Sequence, residues 1–87
     1  MINYDVIEKK EILHELFAGL LADLARIIQE NSIDINSNAP ICDTRRKVRE
    51  IWGSILTDKY STMEQMKELE DYYKSVKKQM NQYNLPK

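Results

Sequence analysis

The stretch MKELEDYYKSVKKQMNQY, residues 66–83, decides the fold. Met66, Leu69, Tyr73, Val76, Met80 and Tyr83 recur at spacings of three, four, three, four and three. That alternation keeps one apolar line on one side of an α-helix, and lysines and acids fill the rest of the surface. A helix so patterned needs a neighbour to cover its line. Upstream, Ser61 with Glu64 has the form of a capping box, which starts this helix near residue 62 and carries it to about residue 84. Pro86 follows.

Working toward the N-terminus, Thr57-Asp58-Lys59-Tyr60 reads as a connection. Before it, Ile41, Val48, Ile51, Trp52 and Ile55 give the apolar face of a second helix, about 40–57, opened by Pro40 at a position that suits proline. Gly53 lies inside this helix and costs it roughly 1 kcal/mol relative to alanine. It marks either a close helix crossing or a plain exposed glycine. Asn31 to Asn38 is a loop rich in Asn, Ser and Asp. The first helix runs from about 5 to 31, with Asp5 and Glu8 as cap and acidic first turn. Leu13, Phe17, Leu20, Leu24 and Ile27 form its seam, and Leu16, Leu21 and Ile28 widen the apolar face enough for two neighbours. Three helices with short connections predict an all-α antiparallel three-helix bundle, residues 1–87 forming one domain.

Composition fits this reading. The chain has 87 residues, 43% hydrophobic and 31% charged, with two glycines and two prolines. Scarce turn residues disfavour sheet folds. A single cysteine, Cys42, leaves no intramolecular disulfide. No basic run followed by an apolar stretch opens the chain, and Ile12–Ile28 is interrupted by His14, Glu15, Asp23 and Arg26. The expected setting is cytoplasmic, away from membranes. A core of this size seldom gives more than about 3–5 kcal/mol, so stabilisation by a partner is expected.

Catalytic chemistry has little to stand on. His14 is the lone histidine and has no second His or Cys at metal-ligand spacing. Cys42 near a helix start lacks a base beside it and reads as a small core residue. There is no glycine-rich phosphate loop and no Ser/His/Asp set, so the chain reads as a non-enzyme without metal or cofactor. The run Arg45-Arg46-Lys47-Val48-Arg49 allows a small DNA-binding regulator. Against that stands a net charge of −1. A solvated helix face or a protein contact accounts for the run more simply.

Charge is nonetheless uneven. Residues 1–43 carry eight acids and three bases, and residues 44–87 carry six acids and ten bases. On the first helix, at about 100° per residue, Tyr4, Glu8, Glu11 and Glu15 share a narrow sector roughly opposite the seam. Ile7 flanks it, apolar on the side expected to be wet. An aromatic, an isoleucine and three carboxylates in a line make a docking strip for a basic groove. They also make an ordinary acidic helix start favoured by the helix dipole. Spacing alone leaves both readings open.

At these residues the chain resembles the epsilon antitoxins of epsilon/zeta toxin–antitoxin systems. The similarity rests on Tyr4 followed by Glu11-Ile12-Leu13-His14-Glu15-Leu16-Phe17-Ala18, on Tyr60-Ser61-Thr62-Met63-Glu64, and on Asp71-Tyr72-Tyr73-Lys74-Ser75. Residues 38–58 are more basic than the family pattern. The resemblance implies a three-helix bundle and a zeta toxin as partner. That toxin would be a P-loop kinase that phosphorylates UDP-N-acetylglucosamine, held in a two-plus-two heterotetramer and serving plasmid maintenance. It further implies that the N-terminal helix covers the kinase's ATP site, with Tyr4 and Glu11 entering it. Ile7, Glu8 and Glu15 would support them from the same side. A bacteriocin immunity protein is the other helical alternative, since some share a run like His14-Glu15-Leu16-Phe17. Those proteins usually have four helices and a working C-terminal tail, where this chain shows three.

Overall fold

A computed structural model describes residues 4–83, all of its regular structure helical: α1 Tyr4–Glu30, α2 Pro40–Ser54 and α3 Met63–Met80. The residue sets expected to seam the helices meet in one core. Leu13, Phe17, Leu20, Leu24 and Ile27 of α1 are buried against Ile41, Val48, Ile51 and Ile55 and against Met66, Leu69, Val76 and Met80. α1 packs on both other helices, as its wide apolar face requires. Lys10 Nζ donates to the Thr57 carbonyl at 2.7 Å and His14 stacks on Trp52, so α2 runs against α1. Thr44 Oγ1 bonds Gln79 Oε1 at 2.9 Å and Lys47 lies over the Tyr72 ring, so α3 runs against α2. The fold is a three-helix bundle with consecutive helices antiparallel.

The helix ends differ from expectation in physically specific ways. Asp5 lies inside the first turn of α1, one residue past its start at Tyr4, and is not its cap. At the other end Ser32 takes φ 55°, Ile33 N–H bonds Ile28 C=O at 2.9 Å, and Ser32 N–H bonds Gln29 C=O at 3.1 Å. This is the Schellman closure, with serine where glycine is usual. The second helix stops at Ser54 and not near 57. There the Thr57 N–H turns back to Ser54 C=O at 3.0 Å, and the Thr57 hydroxyl bonds the same carbonyl. Such a tightened turn uses up a terminal carbonyl and ends the α-ladder.

At α3 the capping box is formed by Thr62 and Gln65, not by Ser61 and Glu64. Both pairs fit the S/T-x-x-E/Q pattern. Gln65 accepts from the Ser61 and Thr62 N–H groups at 2.7 and 3.1 Å while its amide donates to the Lys59 carbonyl at 3.1 Å. A glutamate carboxylate has no proton to give that carbonyl. α3 ends at Met80 with Asn81 as its C-cap, four residues before the expected end near 84, which lies outside the described residues.

Gly53 is not at a helix crossing: a Cβ there would have nothing within 4 Å, and the same holds at Gly19. Both sit in helices with unremarkable φ. Alanine should therefore stabilise the fold by about 1 kcal/mol at Gly19, in mid-helix, and by less at Gly53, one residue from a helix end. Denaturant midpoints at constant slope measure this. A fall in stability at either site would mean the open space is needed by the fold.

Candidate functional site: the outer face of α1

Tyr4, Ile7, Glu8, Glu11 and Glu15 all lie on the face of α1 turned away from α2 and α3, and all five are exposed, Tyr4 by 73% and Ile7 by 45%. The helix begins early enough to include Tyr4, which sets the tyrosine in the same line as the three glutamates. None of Glu8, Glu11 and Glu15 makes a side-chain hydrogen bond or ion pair among the described residues.

The neighbouring bases are drawn off this face. Lys9 pairs with Glu70 of α3 at 2.5 Å, and Lys10 reaches the Thr57 carbonyl beyond α2. Both lie at the flanks of the buried seam, where a long side chain lays its stem along apolar surface and carries its charge outward. The two lysines nearest in sequence thus leave the carboxylates uncompensated. Only Asp5 stands in the first turn. Glu11 and Glu15 are two and three turns further in, beyond the reach of the helix dipole, which fades within one turn.

His14 sits half-buried on the α2 flank of this face, its ring 5.2 Å from that of Trp52 and tilted by 19°. It is a packing residue. Among the described residues no group of three or more His, Cys, Asp and Glu side chains is placed to hold a metal ion. Cys42 is buried, with its thiol donating to the Asp34 carbonyl at 3.4 Å and 3.7 Å from the Ser37 hydroxyl. No helix is long and apolar enough to cross a membrane among the described residues.

The basic run of α2 is only partly engaged within the chain. Arg46 pairs with Asp43 and bonds the Ser37 carbonyl. Lys47 lies 4.8 Å from the centre of the Tyr72 ring. Burial raises the pKa of the Tyr72 hydroxyl above its ordinary value of 10.0. Arg45 is half-buried, its Nε without a partner, and Arg49 is exposed.

Two expected core residues are on the surface. Leu16 is 38% exposed and Trp52 37%, because α2 and α3 each cover one side of α1 and neither closes over its flanks. Sequence reasoning also passed over Ile12, Leu56 and Met63, which are 49%, 57% and 44% exposed. Ile12 carried a signal: it falls between the acidic line and the seam on the helical wheel, where a closed bundle has little use for isoleucine.

A family model described as bacterial epsilon antitoxin matches residues 2–83, nearly the whole chain. No curated protein and no solved structure matches it.

Proposed function

The chain belongs to the bacterial epsilon antitoxin family, and we propose that the toxin it neutralises is a zeta-type P-loop kinase acting on UDP-N-acetylglucosamine, blocked at its ATP site by the outer face of α1. The observation that carries this reading is the line of Glu8, Glu11 and Glu15, exposed and unpaired while Lys9 and Lys10 are engaged elsewhere. A P-loop site holds phosphates with backbone N–H groups, lysine and arginine. Carboxylates spaced along a rigid helix offer acceptors of the same charge to those donors. Tyr4 supplies an exposed ring at the end of the line. The position of Glu11 and Glu15 beyond the first turn also favours docking over an ordinary acidic helix start.

The antitoxin in this reading uses no cofactor and turns over no small molecule. It works in the cytoplasm, in a two-plus-two heterotetramer with its kinase, as part of plasmid maintenance. The intramolecular contacts of Arg46 and Lys47 weigh against the DNA-binding alternative, and the family against the immunity-protein one. The test is inhibition of a zeta-type kinase, which this reading expects to be encoded beside this chain, measured at rising ATP. Direct occlusion requires the apparent inhibition constant to climb in proportion to ATP. Inhibition independent of ATP would remove the nucleotide-site mechanism.

A further inference from the structure

Beside the acidic line, adjoining hollows follow the seam between α1 and α3. One lies between Glu8, Ile12 and Met63. The next is lined by Met63, Met66 and the charged side chains Lys9, Glu64, Lys67 and Glu70. The third, of about 260 Å³, runs past Ile12 and Leu16 to Tyr73. The Lys9–Glu70 ion pair stands among them. Ile12, Leu16 and Met63 are exposed to between 38% and 49% in this one groove. Single exposed apolar side chains are ordinary, but several gathered in a groove mark an interaction site.

We infer that this groove receives a second segment of the same toxin, one that lies outside its nucleotide site and presents an apolar side chain beside a lysine or arginine. The inference rests on the docking of α1 proposed above. Glu8 belongs to the acidic line and also lines the first hollow, so the two surfaces are continuous. A protein laid along the line meets the edge of the groove. The end of the groove nearest Met63 is bordered by Glu8 and Glu64 against Lys67, with Lys9 held by Glu70, and the remaining negative charge of this rim sets the charge of the arriving segment. The apolar walls at Ile12 and Leu16 set the character of the side chain that follows it. The grip then has two parts: carboxylates oppose the phosphate donors, and the groove adds apolar contact that ATP cannot displace by charge.

The full chain carrying Ile12→Ser with Leu16→Ser, and separately Met63→Ser, is titrated against the neighbouring kinase with and without ATP. Binding should fall at least about tenfold for the double variant and several-fold for Met63→Ser, as for truncation at an interface centre. The melting temperature should fall without the fold being lost, because these side chains are already partly exposed, so the titrations are run well below it, and ATP should still displace the variants. Unchanged affinity in both variants, with weakened binding by Tyr4→Ala and Glu11→Ala, overturns the groove and leaves the nucleotide-site reading standing. Weakened groove variants with unchanged Tyr4 and Glu11 variants support the groove while removing that reading. A self-associating chain that becomes monomeric in the Ile12 and Leu16 variant, with its toxin affinity intact, would assign the groove to a second copy and overturn the proposal.

Discussion

Phe17→Ala should leave most of the protein unfolded at 25 °C when no partner is present. Phe17 is fully buried at the middle of α1, between both other helices. Its ring stands edge-on to Tyr73, centroids 6.1 Å apart, and lies nearly parallel to Tyr72 at 6.4 Å. Truncating a buried phenylalanine costs about 3–5 kcal/mol through lost transfer energy and the cavity left behind. A single core in a chain this short supplies roughly the same amount. The loss also withdraws the apolar floor from under two tyrosines of α3. Thermal unfolding followed by circular dichroism would show the collapse of the transition, whereas Phe17→Leu, closer in volume, should cost less than about 1.5 kcal/mol. A Phe17→Ala variant that melts near the parent would mean that the three helices repack around the space. Saturating toxin should restore part of the helical signal, since a partner that binds only the folded chain adds its binding energy to stability.

Tyr4→Ala combined with Glu11→Ala should do the reverse, keeping the fold and losing the function. Both side chains are exposed in the free protein, so removing them should move stability by no more than about 0.5 kcal/mol. Under the proposed docking they become desolvated against the kinase, and truncating one partner of a buried charge pair costs about 2–5 kcal/mol. Affinity should drop by about 100-fold or more, and cells expressing the toxin should lose protection. Glu11→Lys should be worse than Glu11→Ala, because in the proposed docking it sets a cation against the lysine and arginine of a phosphate site. Raising salt should weaken binding of the parent more than that of the double variant, in which fewer charge pairs remain to be screened. Affinity of the double variant within threefold of the parent would sink the assignment of this face.

These two outcomes separate what faces inward on α1 from what faces outward, and the two were not equally legible. The inward line Leu13, Phe17, Leu20, Leu24 and Ile27 is written in the spacing, since burial demands apolar residues at every three or four positions. The outward line of Tyr4, Glu8, Glu11 and Glu15 is also in the spacing, but its lack of ion pairs is not. Lys9 and Lys10 sit next to those acids in sequence, and the chain alone would allow them to pair. In the fold they point to α3 and to the end of α2, whose positions depend on residues more than forty places away.

Leu16 and Trp52 show the same division. Their positions on the helical wheel suit a core flank, and nothing local says whether a neighbour will cover that flank. The capping box differs in kind. Ser61 with Glu64 and Thr62 with Gln65 both satisfied the pattern, and the fold forms the second, in which the Gln65 amide also donates to the Lys59 carbonyl, a bond that a carboxylate cannot make.

By itself, then, the chain's periodicity determined three helices, their order and the residues that bury between them, because helix geometry turns spacing into a face with no outside information. Its short motifs determined the antitoxin family. Tertiary structure alone decided which carboxylates stand without a counter-charge, that Arg46 and Lys47 of the basic run have partners within the chain, and that Ile12, Leu16 and Met63 share an open groove. Those properties depend on where side chains of different helices end up in space, and the pattern along one helix does not carry that information.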